Sequence, residues 1–106
     1  MGAVVFPTWL LRQTVQAETL IGNTAYGPKY GQPFELRARV EWRRRKITNR
    51  QGEEVISEAT AYLAPSSPTL KPGDRVTVDG QRCTVEEVRN HVDGTGRLVY
   101  VEVLLR

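Results

Sequence analysis

With 106 residues, 40% of them hydrophobic and 25% charged, the chain has the make-up of one globular domain, and disorder along its whole length is excluded. The single cysteine, Cys83, excludes an internal disulfide and any zinc site built on several cysteines of one chain. A formal net charge of +3 is too mild for a dedicated DNA-packaging protein, so the distribution of charge matters more than its total.

The first eleven residues are apolar and irregular, with Pro7 followed by Trp9-Leu10-Leu11. They have neither the charged start nor the long apolar run of a secretory signal, and no segment of the chain reaches the length of a transmembrane helix. The expectation is a soluble protein made in a reducing cytoplasm, with no membrane partner. Residues 1–11 are read as a docking arm in which Phe6, Trp9, Leu10 and Leu11 anchor a neighbour. The competing reading, that these side chains cap one end of the fold, is held equal.

Thr14 to Leu20 is a first strand, with Val15, Ala17 and Thr19 on one face. Gly22, Asn23, Gly27, Pro28, Gly31 and Pro33 then punctuate a loop over residues 21–33, whose Tyr26 and Tyr30 pack on the fold or on a partner.

Phe34 to Trp42 alternates strictly between apolar and charged residues, the pattern of a strand with one face in a core and one in water. Trp42 falls in phase with Ala38 and Val40 and is read as a core aromatic. The opposite face, Glu35, Arg37, Arg39, Glu41 and Arg43, carries no aromatic, which argues against a base-stacking platform.

The chain then enters a projecting basic loop over residues 43–53: Arg43, Arg44, Arg45, Lys46, Ile47, Thr48, Asn49, Arg50, Gln51, Gly52 and Glu53. From Arg37 to Arg50 the only acidic residue is Glu41, so a local cationic patch sits on this hairpin. Such a patch is the footprint of a polyanion partner, although a solvated charged face is the commoner explanation in an arbitrary protein.

The return strand runs from Val55 to Leu63, with Val55, Ser57, Ala59, Ala61 and Leu63 inward and Glu58 and Thr60 toward water. Turn residues follow in Ala64-Pro65-Ser66-Ser67-Pro68 and in Lys71-Pro72-Gly73-Asp74. Arg75–Val78 and Gln81–Val88 form a hairpin joined by Asp79-Gly80, a pair suited to the positive φ angles of a type I′ turn. The apolar phase slips between Val85 and Val88, which predicts a β-bulge or a strand end. After Asp93-Gly94-Thr95-Gly96, a last strand from Leu98 to Leu105 turns Val99, Val101, Val103 and Leu105 to one side.

About six strands and no amphipathic helix predict an all-β fold: a small antiparallel barrel, closed or partly open, of SH3-like or Greek-key type, spanning residues 1–106 as one domain. The long basic loop lies between its second and third strands.

Catalytic chemistry finds no constellation. His91 is the only histidine, and Cys83, eight positions away, would lie about 25 Å from it along one extended strand. Glu53-Glu54 and Glu86-Glu87 are adjacent pairs whose members point to opposite faces, so neither forms an acid/base dyad. The expectation is a non-enzyme with no cofactor and no metal.

Taken together, Leu36-Arg37-Ala38-Arg39-Val40-Glu41-Trp42-Arg43-Arg44-Arg45, the return Glu54 to Leu63, Lys71-Pro72-Gly73-Asp74-Arg75-Val76, Asp79-Gly80-Gln81-Arg82-Cys83-Thr84-Val85 and the closing Asp93-Gly94-Thr95-Gly96-Arg97 are similar in order and spacing to the head–tail joining proteins of long-tailed phages. These are also called head-closure or stopper proteins. The resemblance spans roughly Trp9 to Leu105, although no single motif in it is specific. It implies a structural protein of the virion neck, made in the bacterial host cytoplasm, monomeric in isolation and assembled in the virion as a homo-oligomeric ring that closes the portal channel after DNA packaging. It implies a portal-side adaptor ring above, a tail terminator or tail tube below, and non-specific contact with packaged double-stranded DNA. By position, residues 43–53 would be the loop that enters the channel. The alternative is a freestanding small-barrel module that binds nucleic acid without sequence preference.

Overall fold

The structure, a computed structural model, describes residues 11–106. Its elements are eight strands: β1 (Gln13–Glu18), β2 (Leu20–Thr24), β3 (Gly27–Tyr30), β4 (Phe34–Thr48), β5 (Glu54–Leu63), β6 (Arg75–Val78), β7 (Gln81–Val92) and β8 (Leu98–Leu105). Six of them close into a barrel in the order β1-β4-β5-β8-β7-β6, every pairing antiparallel. The closing seam is short, with Gln16, Ala17 and Glu18 opposite Thr77, Val76 and Arg75. Closure removes the free edges of the barrel itself, while β4 and β5 beyond its rim pair only with each other.

The alternation seen in the sequence fills the interior. Val15, Ala17, Leu36, Ala38, Ala59, Ala61, Leu63, Val76, Val78, Cys83, Val85, Val103 and Leu105 are buried together. Alanines concentrate on β1, β4 and β5, while larger aliphatics face them from β6, β7 and β8. Mixing small and large residues is how a narrow barrel is filled without voids. The Asp79-Gly80 turn has φ of 49° and 81°, as a type I′ hairpin requires. The expected phase slip in β7 is a register shift between Val85 and Glu87.

Residues 21–33 differ from the expected loop, because β2 and β3 pair as a separate two-stranded hairpin. Its Gly and Pro residues masked the pairing, since a ribbon this short needs few ladder hydrogen bonds. The hairpin is tied to the barrel at its base. Gly31 N–H donates to Thr19 O at 2.8 Å, and Leu20 N–H donates to Asp74 Oδ1 at 2.8 Å. Asp74 is fully buried, and its second oxygen accepts from Lys71 N–H at 2.9 Å, so one carboxylate fastens the Lys71-Pro72-Gly73-Asp74 turn to the start of β2. Arg75 completes the joint. It holds Glu18 through two hydrogen bonds of 2.9 Å while its guanidinium lies 4.0 Å from the centre of the Tyr30 ring.

Candidate nucleic-acid interface

The expected loop over residues 43–53 is mostly strand. β4 continues through Thr48 and β5 begins at Glu54, so Arg43, Arg44, Arg45, Lys46, Ile47 and Thr48 lie on a two-stranded ribbon extending past the barrel rim. Polar character hid this, because a ribbon leaving a barrel has no core face to impose alternation. Only Asn49, Arg50, Gln51, Gly52 and Glu53 form the turn. Asn49 organises it: its Oδ1 accepts from Gln51 N–H and Glu53 N–H, each at 3.0 Å, and its backbone N–H donates to Glu53 O at 2.9 Å. Gly52 supplies the positive φ of 82° that closes the turn.

A β-bulge marks the point where the ribbon leaves. Trp42 pairs with Ala59 and Arg45 with Ser57, so Arg43 and Arg44 together stand opposite the single residue Glu58. The bulge also exchanges the covered positions of β4. Leu36 and Ala38 are buried before it, and Arg45 and Ile47 are covered after it.

The ribbon does not extend straight out. Glu41, Thr60, Leu104 and Glu87 form one row of partners across β4, β5, β8 and β7. A straight ribbon would carry Arg50 more than about 20 Å beyond this row. Arg50 Nε instead lies 3.2 Å from Glu87 Oε1, and Arg45 Nη1 lies 3.5 Å from Thr60 Oγ1 and 3.5 Å from Glu102 Oε2. The contacts step from β5 to β8 to β7, so the ribbon curls back over the outer face of the barrel. This explains why Thr60, expected to face water, is buried, along with Leu104 and Glu87 further along the same row. Ile47, close to the tip, is only 5% exposed for the same reason.

The curl brings Glu87 and Glu102 onto the basic segment, and β5 supplies two more acids across the ribbon. Besides the Arg45 and Arg50 pairs, Arg44 Nε lies 3.6 Å from Glu58 and Lys46 Nζ lies 3.0 Å from Glu54. Arg43 is exposed and makes no ion pair among the described residues. Glu102 and Glu87 are the buried members of this set, each at 8% exposure, and Arg89 and His91 approach Glu102 at 3.9 and 3.8 Å. His91 stacks on Tyr100 with ring centres 4.3 Å apart. Tyr62 stands across from Glu102, and burial, with Glu41 and Glu102 adding to it, holds its phenol above the ordinary tyrosine range.

Trp42 corrects the sequence-based expectation of a core aromatic, because 47% of its surface is exposed. Its phase is the inward one, but it stands level with Ala59 and Leu105, the last rung of β8. An inward position at the rim has no next layer to cover it. The acids that neutralise the ribbon come from β5, β7 and β8: Glu54 and Glu87 were weighed in the sequence only as members of adjacent pairs, Glu58 only as a water-facing residue, and Glu102 was not singled out. The adjacency of Trp42 to three arginines was the available signal for the rim site.

The expected docking residues separate. Tyr26 is fully exposed at the turn of the β2–β3 hairpin, with Ile21 also exposed on β2. Tyr30 is held against Arg75 at the hairpin base. Leu11 is buried, and its carbonyl accepts from Arg37 Nε at 3.2 Å, so its side chain belongs to the barrel body. Phe6, Trp9 and Leu10 lie outside the described residues. Among the described residues, no cluster of His, Cys, Asp or Glu is arranged to hold a metal ion. No protein-family model matches this chain, and no curated protein matches it.

Proposed function

We propose that this chain is a ring-forming subunit of a virion neck, which closes the portal channel on packaged double-stranded DNA and offers a platform to the tail. One observation carries the proposal: a cationic ribbon is held at one rim of a closed barrel by ion pairs that phosphate can replace. Arg44, Lys46 and Arg50 are each about 70% exposed in their side chains despite these pairs, at 71%, 69% and 69%. Exposed pairs of this kind contribute little to stability and are screened by salt. Exchanging Glu58 and Glu54 for DNA phosphates therefore costs little, and the contacts are independent of sequence. Several copies around a channel raise the local field well above that of one subunit with a net charge of +3. The adaptor ring above and the tail below would meet the exposed Tyr26 hairpin and the N-terminal arm.

The test is deletion of the coding gene in the strain that makes the particles, followed by electron microscopy of the lysate. Separate tails beside heads emptied of DNA are the expected result. Normally joined, filled particles overturn the proposal.

A freestanding nucleic-acid-binding barrel is the second reading. It is favoured by the ribbon's being folded and charge-compensated within one chain, which needs no ring to hold it. It predicts measurable affinity of the monomer for duplex DNA that falls steeply with salt.

A further inference from the structure

Glu102 on β8 is shared between the root of the ribbon and the outer face of β7. Its Oε2 lies 3.5 Å from Arg45 Nη1, and its Oε1 lies 3.9 Å from Arg89 Nη1 and 3.8 Å from His91 Nε2. The His91 contact is too long for a hydrogen bond. His91 Nε2 is nonetheless buried, and no hydrogen-bond partner reaches it among the described residues. The ring is held by its stack on Tyr100, with the two planes within 10° of parallel. An imidazole nitrogen is thus kept out of water beside a carboxylate that it does not engage.

The charged and titratable groups around the ring come from every neighbouring strand. Arg89 lies on β7 itself, Arg45 on β4, Tyr100 and Glu102 on β8, and Tyr62 on β5 packs against Tyr100. Asp93, two positions on, is occupied through Oδ1 with Thr95 and the Arg97 N–H. Arginines, tyrosines and carboxylates ordinarily keep one charge state between about pH 5 and 8. His91, the single histidine of the chain, is the group among them that changes charge in that range.

We propose that protonation of His91 releases the β4–β5 ribbon from the face of the barrel. Two effects act in the same direction. The imidazolium needs an acceptor for its buried N–H, and the one at hand is Glu102 Oε1, so the ring competes with Arg45 for this carboxylate. It also adds a third positive charge around a single negative one. Arg89 and His91 are fixed by the pairing of β7 with β8, whereas Arg45 stands where β4 and β5 pair only with each other. The cation able to leave is therefore Arg45. Its departure removes like charge from beside His91, so the open ribbon holds the proton more tightly than the closed one. By linkage the proton then favours opening: the closed ribbon is most stable above the imidazole range and weakens as the pH falls through it. Release also bares Arg45, so acid adds a cation to the surface the ribbon presents.

The test is amide exchange of the full chain, followed by NMR at low salt between about pH 5 and 8. Rates are read as protection factors, which removes the intrinsic pH dependence of exchange. Protection of residues 45–53 is expected to fall by about two- to fivefold on acidification, at the midpoint of the His91 ring titration, with the barrel strands unchanged. His91→Gln, polar and never charged, is expected to keep the ribbon level across the range. Arg45→Gln is expected to open the ribbon already at the alkaline end and to lose the pH step. Protection that stays level or rises in acid overturns the proposal, as does the same fall in His91→Gln. A fall shared by the barrel strands is a loss of global stability and overturns it too. If His91→Gln proves unfolded, the parent chain decides, and midpoints of ring and ribbon that do not coincide overturn the switch.

Discussion

Arg50 at the ribbon tip reaches back to Glu87 on β7, thirty-seven positions along the chain, with Nε 3.2 Å from Oε1. This contact closes the curl that Arg45 begins at Thr60 and Glu102. Glu87→Gln keeps the shape and removes the charge. Because Arg50 is mostly exposed, the pair contributes less than about 1 kcal/mol, and global stability should hardly move. Local opening should move more, with amide exchange of residues 47–53 several-fold faster while the barrel strands stay protected. Unchanged exchange at the tip would assign the curl to burial of Ile47 and not to the ion pair.

Asp74 and Gly73 test the joint between barrel and hairpin. Asp74→Ala leaves the partly buried Leu20 and Lys71 N–H groups without their acceptors and should cost about 1–3 kcal/mol in denaturant unfolding. Gly73 has φ of +97°, and an added Cβ would lie 2.9 Å from Leu20 Cδ2. Gly73→Ala should therefore also destabilise, through backbone strain and displacement of Leu20. A Gly73→Ala protein as stable as the parent would show that the turn can relax without cost.

Glu18 gives the fold an acid-sensitive seam. Its hydrogen bonds from Arg75 hold its carboxyl below the ordinary value of 4.5. A lowered native pKa means the unfolded chain binds the proton more readily. The resulting stability is complete above about pH 5 and is lost as the pH falls through the native value. Glu18→Gln should lower stability at neutral pH and flatten the decline below about pH 4.5. The check is a series of urea midpoints across that range. Parallel pH profiles for variant and parent would mean that the pair does not set the acid response.

The barrel was legible because its strands alternate, and the interior is made of the residues whose phase pointed inward. Asp79-Gly80 and the slip at Val85 were legible for the same reason: each is a local departure with one structural meaning. The ribbon was not, because its covering is tertiary. Nothing within Arg43 to Thr48 says that Glu87 and Glu102 will lie beneath it. Trp42 failed differently, since periodicity gives the face of a residue but not its distance from the end of the barrel. Thr60 failed as the converse, an outward position that another part of the chain happens to cover. The β2–β3 hairpin was hidden by turn formers that also suit a short ribbon. The candidate interface was thus visible in its cations but not in the acids that hold them.

That division among the cations gives the last prediction. Arg45 is the ribbon arginine most covered in its ion pair, its side chain 33% exposed against 69% for Arg50, and it contacts Thr60 as well as the buried Glu102. Arg45→Gln leaves Glu102 with only the longer contacts to Arg89 and His91 and should cost about 1–3 kcal/mol. Arg43→Gln and Arg44→Gln remove exposed charges and should each change stability by less than about 0.5 kcal/mol. Their effect should appear instead in DNA binding, where each lost phosphate contact lowers the slope of log affinity against log salt by about 0.9. The double variant should therefore retain its thermal midpoint and lose nearly two from that slope. The reverse pattern, with Arg45→Gln stable and weak in DNA binding, would place Arg45 at the phosphate surface and remove it from the hinge of the ribbon.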